Sequence, residues 1–134
     1  MRILVADDDE PCRMLLQEMF VAEPHIKLTM ARDGAEAWWL LTDPMQVFDL
    51  GIFDLRMPVV DGLKLIERIR GVTSFRSLPI ILCTATNDRE TVAKAARLAI
   101  TQYVVKPYRA EAMREKIRSA LLINGRIDKS LASV

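Results

Sequence analysis

Short apolar runs alternate with segments of helical period along the whole chain. Ile3-Leu4-Val5-Ala6 is continuously apolar and stops at three aspartates, Asp7, Asp8 and Asp9. Between Met14 and Val21, the residues Met14, Leu15, Met19 and Phe20 fall on one helical stripe, and Pro11 stands where a first turn tolerates it. Asp9, just ahead of that segment, reads as its cap. Ile26-Lys27-Leu28-Thr29-Met30 alternates as a second strand does. Asp33-Gly34 then turns the chain into a helix over 35–41, ended near Pro44. Phe48 to Phe53 predicts a third strand, halted by Asp54. Asp61 has the place of an N-cap for a helix over 62–70, with Leu63, Ile66 and Ile69 on one face. Pro79 to Cys83 predicts a fourth strand, with proline at its first position, where it does least harm. Asn87 or Asp88 caps an alanine-rich helix to about Leu98. Tyr103-Val104-Val105 is a fifth strand, and an amphipathic helix spans 107–122. The last dozen residues lose periodicity, so one domain over 1–122 is expected, with 123–134 a tail or the start of a linker.

Five strands alternating with five helices predict an α/β fold: one parallel sheet, right-handed crossovers and helices on both faces. Strands this uniformly apolar suit a sheet buried on both sides. In such doubly wound folds, ligands gather beyond the carboxyl ends of the strands, near the switch in strand order. Chemistry is therefore to be sought just after each strand.

Composition narrows the partners. The 134 residues suit a single domain, and an apolar fraction of 51% supports a true core. With 19 basic against 18 acidic residues, net charge is +1, too balanced to imply nucleic acid or an anionic membrane. The basic residues of the last helix (Arg109, Arg114, Lys116, Arg118) alternate with acids and read as a solvated face. Acids at 7–10 follow the first apolar run at once, unlike a signal peptide. No apolar run approaches the roughly 20 residues that span a bilayer. Cys12 and Cys83 lack metal-site or disulfide spacing and read as buried thiols of a reducing compartment, so a cytoplasmic protein is expected.

The residues following the strands are Asp7 and Asp8, then Asp54, Thr84 and Lys106. Three carboxylates, a hydroxyl and an ammonium would thus share one rim. Two carboxylates about 4 Å apart repel by roughly 4 kcal/mol at an effective dielectric near 20. A third makes matters worse, so the cluster calls for a cation or a proton. A hard, oxygen-only donor set suits Mg²⁺, with Mn²⁺ as an alternative. Cation, lysine and hydroxyl around a carboxylate fit phosphoryl transfer to that carboxylate. Taken singly, each residue has a plain role as cap, strand residue or solvated charge; their joint placement carries the reading.

These residues stand in motifs that resemble the receiver domains of two-component response regulators. The resemblance covers roughly 2–122. It rests on Ile3 to Asp8 with Arg13 after it, on Phe53-Asp54-Leu55-Arg56-Met57-Pro58 running to Asp61-Gly62, on Thr84-Ala85, and on Lys106-Pro107. It implies a CheY-like, flavodoxin-like fold with strand order 2-1-3-4-5. It further implies Asp54 as phosphoacceptor, Asp8 and Asp54 as direct Mg²⁺ ligands, Asp7 acting through water, and the Arg56 carbonyl completing the set. Thr84 and Lys106 would contact phosphoryl oxygens, Tyr103 would be the aromatic switch, and Lys106-Pro107 a cis peptide. The donor would be a sensor histidine kinase or a phosphotransfer protein. The output would be a downstream protein meeting the face of the fourth helix, fifth strand and fifth helix, with a homodimer left open and no membrane or nucleic-acid partner.

Departures and rivals complete the picture. Residues 98–102 lack the glycine that often ends the fourth helix, and Gly51 within a strand marks a close approach by a neighbour. Arg56 and Thr86 hold variable rim positions that would tune dephosphorylation and kinase fit. A haloacid-dehalogenase-like phosphatase would place an acid two residues after its nucleophile, where this chain has Arg56. A phosphoacceptor that is not a turnover enzyme is therefore expected, with a receiver-like module that is never phosphorylated as the other alternative.

Overall fold

A computed structural model of the chain describes residues 1–85 and 89–123, the side chain of Ile123 excepted. Alternation of strand and helix is complete. The elements are β1 (Arg2–Ala6), α1 (Glu10–Met19), β2 (Lys27–Ala31), α2 (Gly34–Leu41), β3 (Leu50–Asp54), α3 (Gly62–Arg70), β4 (Ile80–Thr84), α4 (Arg89–Arg97), β5 (Gln102–Val105) and α5 (Ala110–Ile123). A short 3-10 turn, Thr73–Phe75, precedes β4. All strand pairs are parallel, and the sheet order is β2-β1-β3-β4-β5. This is the flavodoxin-like, doubly wound α/β architecture expected from the chain.

Period-two alternation sorts each strand's side chains onto the two faces. Ile3, Val5, Ile52, Ile81 and Cys83 pack with Leu16 and Met19 of α1 and Met113 and Ile117 of α5. Leu4, Ala6, Phe53, Ile80 and Leu82 pack on the other face with Ala37, Leu65, Ile66, Ile69 and Ala95. Fully burying one such aliphatic side chain contributes about 1.5–3 kcal/mol. The central strands β3 and β4 are buried along their whole length, whereas edge strand β2 has only Ala31 buried.

Several boundaries differ from the sequence pattern. Helix α1 starts four residues before Met14, which is 50% exposed, and its buried face is Leu16, Met19 and Phe20. Of the expected stripe, Met19 and Phe20 are buried and Leu15 half-buried, whereas Met14, two residues before Leu16, lies on the opposite side of the helix. Strand β2 begins one residue later than the pattern implied, and α5 starts at Ala110 rather than Pro107. Asp61 caps as expected, accepting from Lys64 N at 2.9 Å, and Asp33, expected only as part of a turn, also caps, accepting from Glu36 N at 2.8 Å. Asp9 holds the N-cap position of α1, but its side chain makes no capping hydrogen bond. Cys83 is buried, but Cys12 is only half-buried, correcting the expectation for that thiol. The expected caps Asn87 and Asp88, the rim position Thr86 and the tail beyond Ile123 lie outside the described residues.

The close approach expected at Gly51 comes from within its own strand: a Cβ there would lie 2.5 Å from the tip of the Phe53 ring. The missing glycine after α4 is replaced by Ala99 in the left-handed region, φ 53°. Ala99 N bonds Ala96 O at 3.2 Å and Ile100 N reaches Ala95 O at 3.5 Å, the paired bonds of a Schellman termination. Arg70 reinforces this end, donating from Nε to Leu98 O and from Nη2 to Ala99 O, both at 2.9 Å. An L-residue in this region costs about 1–2 kcal/mol, partly offset by the greater unfolded-state freedom of glycine. Ala99→Gly is therefore expected to stabilise the protein by about 0.5–1 kcal/mol. A raised urea midpoint at unchanged slope would show it; an unchanged or lower midpoint would count against strain at Ala99.

Candidate functional site

Strand order reverses between β1 and β3, since β1 pairs with β2 on one side and β3 on the other. Asp7 lies just past β1 and Asp54 ends β3, so both acids flank the switch point. Among the described residues, Asp7, Asp8 and Asp54 each offer a carboxylate oxygen, all within 4.8 Å of one another. Asp7 and Asp54 are buried and Asp8 is exposed. Lys106, the first residue after β5, points its ammonium into this group. Its Nζ lies 2.9 Å from Asp7 Oδ2 and 3.3 Å from Asp54 Oδ1.

One ammonium against three carboxylates leaves a surplus of negative charge. Burial, then the charge of Asp7, pushes the Asp54 carboxyl up to about 6, although Lys106 pulls the other way. Burial opposes the Lys106 ammonium, but the hydrogen bond and charge of Asp7, with the charge of Asp54, hold that amine above its ordinary range. The two partners shift upward together because burial and Asp7 outweigh Lys106 at the Asp54 carboxyl, while the two acids outweigh burial at the Lys106 ammonium. A hard divalent cation fits this donor set: oxygen-only, crowded and short of positive charge.

Thr84 ends β4 beside Asp54's strand, fully buried, and its carbonyl accepts from Lys106 N at 2.7 Å. The Lys106-Pro107 peptide is cis. Tyr103 lies on β5 opposite Leu82, two residues short of the rim strand end, half-buried against the α3–α4 face. Arg56 is exposed in the bend after β3. In the same loop Val59 has φ 69° and Val60 N bonds Pro58 O at 2.8 Å, a strained three-residue turn. Gly62 seats the start of α3 against this strand end, since a Cβ there would collide with the carbonyl oxygen of Asp54. That contact gives Asp61-Gly62 a physical meaning that its spacing alone does not carry.

A family model described as the response regulator receiver domain matches residues 3–118. The chain belongs to the response regulator receiver family. It is 31% identical to a chemotaxis protein CheY homolog of Campylobacter jejuni, over 90% of this chain and 92% of that protein. The signal receiver domain of an HD domain-containing protein from Pseudomonas fluorescens is 30% identical, with TM-score 0.82, covering 94% of this chain and 98% of that one. Vibrio cholerae chemotaxis protein CheY4 shares the fold at TM-score 0.81 and 23% identity, covering 90% and 98% of the two chains. Among the described residues of this receiver domain, no helix is long and apolar enough to cross a membrane.

One contact at the site lies outside the roles that the motifs imply. Arg13 donates from Nη1 to the Asp7 carbonyl at 2.6 Å. Arg13 stands in the motif that follows Asp8, but residue type and spacing do not reveal this contact, because the partner is a backbone oxygen six residues earlier. Cys12, close by on α1, has its thiol pushed up to about 11, first by burial and then by its hydrogen bond to Asp9, so it is a thiol at neutral pH.

The raised Asp54 carboxyl sets a sign for stability. The folded chain keeps this proton up to about pH 6, whereas an unfolded aspartate releases it near 3.8. Stability of the metal-free protein therefore falls as pH rises from about 4 to about 6. Asp54→Asn removes that penalty. In EDTA it is expected to be more stable than wild type by about 2–3 kcal/mol at pH 7.5, with the advantage vanishing near pH 4. Urea unfolding at both pH values measures this; an advantage independent of pH would contradict the assignment.

Proposed function

We propose that this receiver domain is a phosphoacceptor switch, with Asp54 taking a phosphoryl group from a phosphohistidine on a sensor kinase or phosphotransfer protein. The observation that carries the reading is the Asp54 carboxylate, held at the switch point between two other acids and 3.3 Å from the Lys106 ammonium. An Asp54 oxygen attacks phosphorus, the O–P bond forms as the P–N bond breaks, and the imidazole leaves with the electron pair. Asp8, Asp54 and the Arg56 carbonyl would hold Mg²⁺ directly and Asp7 through water. When bound, the ion supplies positive charge to the equatorial phosphoryl oxygens. Lys106 is already aimed at Asp54 and supplies a second cation to the product acyl phosphate. Thr84 offers its hydroxyl from the neighbouring strand.

Phosphate at Asp54 changes the local charge, and Thr84, Lys106 and Tyr103 would respond as a bistable element. Tyr103 is part of the face formed by α4, β5 and α5, where Val92 and Val105 are 42% and 44% exposed. That surface is the proposed output face toward a downstream protein. The domain, residues 1–122, would work in the cytoplasm as a substrate of its own phosphorylation with only slow self-dephosphorylation, not as a turnover enzyme.

Intact mass after incubation with acetyl phosphate and Mg²⁺ tests the proposal. Wild type is expected to gain one phosphoryl group only when Mg²⁺ is present, and Asp54→Asn none. An unmodified wild type, or equal labelling of Asp54→Asn, would sink the reading. Sustained phosphate release from a simple monoester would favour a phosphatase instead.

A further inference from the structure

We infer that Arg13 is a positioning residue for the divalent-cation site, its guanidinium setting the peptide plane from which Asp8 presents its carboxylate. The inference rests on the proposed reading of the acidic trio as that site. Only three residues, Asp7, Asp8 and Asp9, join β1 to α1, and all are acids. Left to their mutual repulsion they would spread apart, so the backbone must be held from outside.

Asp7 is held from four directions. Its N–H donates to Ala31 O at 3.1 Å, which continues the β1–β2 ladder. Its Oδ1 accepts from Asp9 N at 2.9 Å and its Oδ2 from Lys106 Nζ at 2.9 Å. Its carbonyl accepts from the Arg13 guanidinium at 2.6 Å, short enough for a charge-assisted bond. That carbonyl belongs to the rigid, planar Asp7-Asp8 peptide. Holding the oxygen fixes the plane, and the plane fixes the direction in which Asp8 leaves. Arg13 is itself anchored, because its N–H bonds Asp9 O at 3.1 Å in the first turn of α1. The guanidinium thus ties a helix-fixed backbone to the first residue beyond the sheet. Asp8, lying between two pinned residues and itself exposed, takes its place from them.

A mere fold staple would show itself in global stability and nowhere else in particular; a positioning residue shows itself in ion affinity. Wild type, Arg13→Met and Arg13→Lys are to be titrated by calorimetry with MgCl₂ and with MnCl₂. Amide exchange of the metal-free proteins is followed in parallel. Arg13→Met is expected to raise the Kd of both ions about ten-fold. It should also speed exchange at the Asp9 amide while amides of β3 and β4 keep their wild-type rates. Arg13→Lys, which keeps a charged donor, should fall between the two, and it decides the matter should Arg13→Met fail to fold. A folded variant whose Kd stays within about two-fold of wild type overturns the inference and leaves the phosphoacceptor reading standing. Affinity loss accompanied by uniformly faster exchange throughout the domain also overturns it. If wild type binds neither ion, the proposed function falls, and the role of Arg13 with it.

Discussion

Three carboxylates meet one ammonium at the carboxyl edge of the sheet, and much of the molecule serves to hold that imbalance. Left free, Asp7 and Asp54 would relax away from each other or into water. They cannot, because each continues a parallel strand whose side chains are locked into both faces of the core. The neighbouring strand contributes Thr84, and the edge strand delivers Lys106, 2.9 Å from Asp7. Burial, and after it the charge of Asp7, raises the Asp54 carboxyl in spite of Lys106. A site in this state favours whatever positive charge it can recruit, and the proposed cation binding and phosphoryl transfer would both draw on that one electrostatic deficit.

The same constraint bears on the choice between the proposed switch and its rivals. A phosphatase built on a similar acyl phosphate needs a nearby acid or base to bring in water. Two residues beyond Asp54 stands Arg56, exposed and cationic. In a receiver-like binding module without phosphorylation, the buried Asp54 with Lys106 at 3.3 Å would have no chemical role. Such a pair would be better replaced by apolar side chains, since buried charges rarely stabilise a fold. Retaining it is expected where the charge does chemistry.

Much of this was legible in the chain. Uniform apolar runs of strand length, each broken by a polar residue, located the strands to within about two residues and named the residues at the rim. Asp61 announced its helix because a cap needs only a local side chain and a nearby N–H, and Asp33, read only as part of a turn, caps in the same way. Where local signals competed, they failed. Met14 entered the stripe of α1 because hydrophobicity does not say which face is buried. Asp9 looked like a cap, yet its side chain does not cap the helix. Ala99 carries a backbone conformation that its side chain gives no hint of.

By itself, the sequence determined the alternation of elements, the apolar strands and the acidic residues that end them, because these depend on period and composition along the chain. Only the tertiary structure decided how close those acids lie, that Lys106 bridges Asp7 and Asp54, and that Asp8 stays exposed while its neighbour is buried. It also decided that Arg13 reaches back to the Asp7 carbonyl and that Gly62 must yield to the carbonyl of Asp54. Those facts depend on distances between residues far apart in the chain or on the direction of a backbone oxygen. Neither is written in residue type, and both follow once the strands have taken their places beside one another.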